Sequence, residues 1–107
     1  MAERRLTATD SGATVTLRSG DSLFVDLPEI LGTGYQWVED TVDAQILDPL
    51  GSATHRWEGA RVGGGGTRTF SYRAKGPGTA ELRLKRWRWR DDDPAIQRFA
   101  IVVTVDR

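Results

Sequence analysis

Apolar and polar residues alternate along most of the chain with the period of two expected of strands that bury one face. Val15 and Leu17 alternate with Thr14 and Thr16, and Arg18-Ser19-Gly20-Asp21 then supplies turn chemistry. Leu23, Val25 and Leu27 share one face of a second strand, predicted to stop at Pro28 because proline donates nothing to a ladder. Tyr35 and Trp37 alternate with Gln36 and Val38 in a third. Val42 and Ile46 stand at helical spacing before Pro49, enough for one or two turns. A short edge strand is expected at 54–57 and a loop from Arg61 to Gly66.

The second half is more regular. Phe70, Tyr72 and Ala74 fall on one face, with Thr69, Ser71 and Arg73 on the other. After the turn Lys75-Gly76-Pro77-Gly78, Ala80, Leu82 and Leu84 alternate with Glu81, Arg83 and Lys85. The last strand carries Phe99, Ile101, Val103 and Val105 on one side and Ala100 and Val102 opposite, which predicts a central strand covered on both faces. About seven or eight short strands separated by turn signals, with no long helix, define an all-β chain: a sandwich or a barrel.

Composition narrows the chemistry. The 107 residues fit one domain, 1–107, and about 65% of the unfolded surface would be buried on folding, enough for a core without staples. There is no cysteine, which removes disulfide scaffolds, thiolate metal sites and cysteine nucleophiles. The net charge is zero, so no nucleic acid and no membrane surface is expected as a partner held by bulk electrostatics. No apolar run reaches the roughly 20 residues that span a bilayer. Met1-Ala2-Glu3-Arg4-Arg5 does not lead into a signal-peptide core. A cytoplasmic location is expected if Met1 is the native start, and a periplasmic or secreted one if a leader was trimmed.

Three stretches break the strand grammar. In Ile30-Leu31-Gly32-Thr33-Gly34, two glycines flank a threonine and two apolar residues occupy a loop. A hairpin tucked under the end of the fold accounts for this as well as a binding loop does. Gly63-Gly64-Gly65-Gly66 lacks the lysine and following helix of a phosphate loop, because Thr67-Arg68-Thr69-Phe70 continues as a strand. Bare backbone there is free to pair with another chain, although a flexible connector has the same composition. In Lys85-Arg86-Trp87-Arg88-Trp89-Arg90 the aromatic residues shift to the odd positions. Either a bulge resets the phase or Trp87 and Trp89 face outward, as interface anchors or stacked under neighbouring cations.

Taken in order, these segments resemble the three binding loops of the chagasin-type inhibitors of cysteine peptidases. In that family the first loop reads Asn-Pro-Thr-Thr-Gly and then aromatic, small or polar, Trp; Tyr35-Gln36-Trp37 follows here. The second is glycine-rich, and the third carries Arg-Pro-Trp or Arg-Pro-Phe, where Arg86 supplies the arginine. Gly12–Leu17 and Arg98–Val102 also resemble the family's first and last strands, so the likeness runs nearly the whole chain. The departures are Ile30 for Asn, Leu31 for Pro, Gly32 for Thr and Trp87 for Pro, and the third loop's aromatic position falls on Arg88 unless one inserted residue brings up Trp89; Thr33 is retained. They remove stiffening from the first loop, and ordering Gly32 adds roughly 1 kcal/mol to the entropy lost on binding.

The resemblance implies an immunoglobulin-like β-sandwich of seven to eight strands and a reversible, tight-binding inhibitor. Its partner would be a papain-like cysteine peptidase, met by a monomer without cofactor or metal. Ile30, Leu31, Gly32, Thr33 and Gly34 would enter the cleft, with Thr33 nearest the enzyme's cysteine–histidine pair. Gly63, Gly64, Gly65 and Gly66 would run along one wall, and Arg86 with Trp87 or Trp89 would pack on the opposite rim. An alternative is a non-inhibitory module using the Arg/Trp segment for nucleic acid, sugar or another protein; another is an inhibitor fold that has lost its activity. No enzyme is expected. His55 is the lone histidine, Ser52 and Ser71 lack a nucleophile elbow, and Asp91-Asp92-Asp93-Pro94 lacks the ligand spacing of a calcium loop.

Overall fold

The computed structural model describes residues 2–30, 35–56, 65–87 and 95–106. Among these residues eight strands form two four-stranded sheets: β1 (Glu3–Thr7), β2 (Thr14–Arg18), β3 (Ser22–Ile30), β4 (Gln36–Thr41), β5 (Leu47–Arg56), β6 (Gly65–Ala74), β7 (Gly78–Trp87) and β8 (Gln97–Asp106). One sheet runs β1-β3-β6-β5 and the other β2-β8-β7-β4, so the sandwich is the architecture adopted and the barrel is not. β1 lies parallel to β3 and β2 parallel to β8, while the other pairs are antiparallel. A three-residue 3-10 turn, Ala8–Asp10, carries the chain from one sheet to the other.

The alternation becomes the core. Leu23, Val25, Leu27, Phe70 and Tyr72 from the first sheet meet Val15, Leu17, Leu82, Leu84, Phe99, Ile101 and Val103 from the second. Burying each such side chain contributes about 1.5–3 kcal/mol against the entropy of ordering it. Val42 and Ile46 pack at its edge from a single turn, closed by Leu47 N–H donating to Asp43 O at 2.8 Å. Between β2 and β3, Gly20 takes φ +95°, and Asp21 accepts the Arg18 amide at 2.9 Å to hold the turn.

Four local expectations need correction. β3 continues through Pro28, paired with Thr67, and ends at Ile30; β1 has already stopped at Thr7↔Asp26, so no second neighbour requires the missing N–H. β5 is ten residues long rather than a short strand at 54–57. Its Pro49 and Gly51 (φ +114°) flank a break in register on a sheet edge, where a bulge tolerates both. Gly65 and Gly66 belong to β6, not to a loop. Finally, β8 is central in its sheet but covered on one face only: Val102 is exposed on the outer side.

Candidate functional site

Strand register decides which chain segments meet. At one end of the first sheet, Ile30 pairs with Gly65 and Arg56 with Gly66. At the same end of the second sheet, Gln36 pairs with Trp87 and Arg86 with Gln97. The three segments singled out by sequence therefore spring from one end of the sandwich. The 57–64 segment hangs from the first sheet and the 88–94 segment from the second. The chain leaves the first sheet at the end of β3, beside β6, and enters the second at the start of β4, beside β7.

Of the anticipated binding residues, Ile30 is the last paired position of β3, and Gly65 and Gly66 are the first of β6. Leu31, Gly32, Thr33, Gly34, Gly63, Gly64 and Trp89 lie outside the described residues, as does the Asp91–Pro94 stretch. The phase question at the third segment is answered as far as Trp87. β7 keeps unbroken register with β8 from Gly78↔Val105 to Arg86↔Gln97, so no bulge resets it. The irregularity sits instead on β4, between Glu39 and Thr41. Trp87 accordingly keeps the outward phase of Lys85, whose Nζ lies 5.4 Å from the ring centroid. It is half-buried, with Lys85 as its cation–π partner among the described residues.

Arg86 keeps the inward phase of Leu82 and Leu84. It stands across from the buried Trp37, and its Nε is buried without a hydrogen-bond partner among the described residues. Two further charges occupy inward positions at this end, and the sequence reading passed over both. Glu29 follows Leu23, Val25 and Leu27 in phase, and only 2% of it is exposed. Arg68 precedes Phe70, Tyr72 and Ala74 in phase on β6.

Glu29 and Arg68 form one network with Trp37, Thr54, Ser52 and Gln36. Glu29 Oε1 accepts the Trp37 amide at 2.8 Å, and Glu29 Oε2 accepts the Thr54 hydroxyl at 3.3 Å. Arg68 Nε donates to both carboxylate oxygens at 3.2 Å. The rest of the guanidinium reaches Ser52 Oγ at 3.4 Å and Gln36 Oε1 at 3.3 Å. The Trp37 indole N–H closes the same corner by donating to Pro28 O at 2.8 Å. A charge this deep is tolerable only when its lone pairs are filled, as they are here. One turn of strand further in, the Tyr72 hydroxyl donates to Glu39 Oε1 at 3.1 Å. Burial, reinforced by that carboxylate, pushes the phenol far above its ordinary range.

His55 is exposed on β5, and Ser52 and Ser71 lie on strands, giving none of them the company a nucleophile needs. No group of three or more metal-ligating side chains occurs among the described residues. Nor is any helix there long and apolar enough to cross a membrane.

Residues 16–105 match the model of the chagasin family of peptidase inhibitors I42. The chain belongs to that family; it is a cysteine peptidase inhibitor by class and not an enzyme. Among curated proteins no match is found. Solved structures share the fold. The cysteine protease inhibitor EhICP2 from Entamoeba histolytica superposes with a TM-score of 0.88 at 19% identity, covering 99% of this chain and 97% of that one. Amebosin gives 0.77 at 20% identity, covering 96% and 98%. PbICP-C, solved in complex with falcipain-2, gives 0.68 at 17% identity, covering 96% and 99%.

Proposed function

We propose that this chain is a reversible, tight-binding inhibitor of papain-like cysteine peptidases, acting as a one-domain monomer through the loop end of its sandwich. The observation that carries this reading is the register: Ile30↔Gly65 in one sheet and Gln36↔Trp87 in the other gather the three segments around residues 31–34. In this reading Leu31 to Gly34 enter the cleft and Thr33 blocks the catalytic pair without offering a scissile bond. Gly63 and Gly64 lie along one wall, where backbone without side chains pairs by strand addition, while Gly65 and Gly66 root them in β6. Arg86, Trp87 and Trp89 serve the opposite rim, with Trp87 outward and Arg86 beneath it. An interface of about 800 Å² per partner is within reach of three such tips. The falcipain-2 complex of PbICP-C favours the same class of partner.

The alternative of a nucleic-acid or sugar module draws no support from the family match, and zero net charge argues against the first. Titrating papain with the purified protein tests the proposal. Activity should fall stoichiometrically, while serine and metallopeptidases stay active. A Thr33→Arg, Trp89→Ala variant should lose most of its potency. Full papain activity at micromolar inhibitor would overturn the reading.

A further inference from the structure

Glu29 stands where an apolar residue would satisfy the strand pattern. Its phase continues Leu23, Val25 and Leu27, and its side chain is as buried as theirs. Packing alone gives no reason for a carboxylate there, since apolar replacements of buried ion pairs are often as stable. What an apolar residue cannot do is accept the Trp37 amide.

That bond has a particular place in the chain. Glu29 and Trp37 bracket the 30–36 connection, one on each sheet. The carboxylate ties its leading end on β3 to its trailing end on β4 at 2.8 Å. A second bond across the same base runs from the Trp37 indole to Pro28 O. The other carboxylate oxygen and Arg68 extend the tie to β5 and β6, which carry the 57–64 segment. These bonds lie at the base of the connection, so they act on binding through the position of its two ends.

We infer that Glu29 is a positioning residue for inhibition. By clamping both ends of the 30–36 connection, its carboxylate limits the tip to arrangements that fit a cleft and lowers the ordering cost of association. The inference rests on the proposed function. Its unit is the acceptor, not the charge, so glutamine and leucine at this position should behave differently.

The test compares the parent with Glu29→Gln, Glu29→Leu, and Glu29→Leu combined with Arg68→Met, the last so that no unpaired guanidinium unfolds the domain. Each is titrated against papain at a temperature where circular dichroism shows it fully folded. Exchange of the Trp37 amide is followed by NMR in the free proteins. The leucine variants should raise the inhibition constant about 10- to 100-fold, mostly through slower association, and speed Trp37 exchange. The glutamine variant should stay within about threefold of the parent on both measures. A folded leucine variant inhibiting within twofold of the parent would overturn the inference, as would glutamine failing as badly as leucine. If the parent itself leaves papain active, the proposed function falls. The role in inhibition falls with it, and Trp37 exchange then tests the clamp separately: faster exchange in the leucine variants supports it and unchanged exchange overturns it.

Discussion

The two ends of the sandwich are closed by different means. At the turn end, backbone bonds predominate: Ser19 N–H to Asp106 O, Gly20 N–H to Ala74 O and Ala74 N–H to Asp21 O, each at 2.8–2.9 Å. Short turns suffice there, and the core remains apolar up to its edge. At the loop end, side chains make the closure, with Glu29, Arg68, Thr54, Gln36 and Trp37 spanning four strands and both sheets. Backbone closure leaves only short turns, whereas side-chain closure allows long segments to emerge without the sheets parting. The difference separates an end that completes the fold from one that presents a surface.

The strongest challenge to that contrast is Trp37→Ala. It deletes a ring that is 2% exposed and one of the bonds across the loop base. A loss of about 3–5 kcal/mol is expected from urea unfolding, together with weaker papain inhibition. Next comes Glu29→Leu, which strands Arg68. Because that guanidinium keeps some contact with water, the expected loss is about 2–3 kcal/mol. Adding Arg68→Met should recover most of the stability but not the inhibition, separating closure from presentation.

The smallest effect belongs to the turn end. Amides of Ala2 and Arg18 hold the Asp21 carboxyl below its ordinary value of 3.8. Its folded pKa is depressed, so its contribution is complete above that value and is lost as pH falls through the folded pKa. Asp21→Asn should therefore lose less stability than the parent between pH 7 and pH 3, with inhibition at neutral pH unchanged. Denaturation midpoints at the two pH values check this.

Much of the fold was legible because most strands show a clean two-residue period. The inward sets on β3, β6, β7 and β8 are those the alternation picks out, and they form the core. β5 was not legible, since Pro49, Gly51 and Ser52 are turn residues by composition and become strand only on an edge that tolerates a bulge. The outer face of β8 misled because Ala100 and Val102 are apolar for reasons other than burial. The loop locations were readable as failures of alternation, while their support was not. Glu29, Arg68 and Arg86 look like surface residues by type and core residues by phase. That clash, repeated on three strands at one end, was the available signal.

The division of the loops between sheets has a further consequence. The 57–64 segment is carried by one sheet and the 88–94 segment by the other, so the separation of their roots includes the spacing between packed sheets, about 10 Å. That spacing is set by the bulk of the side chains between the sheets, Phe99 and Tyr72 among them. For an inhibitor that straddles a cleft, the core is then a gauge as well as a ballast. A methylene gained or lost deep inside would retune which cleft widths the two outer segments can span, without altering any residue that meets the enzyme.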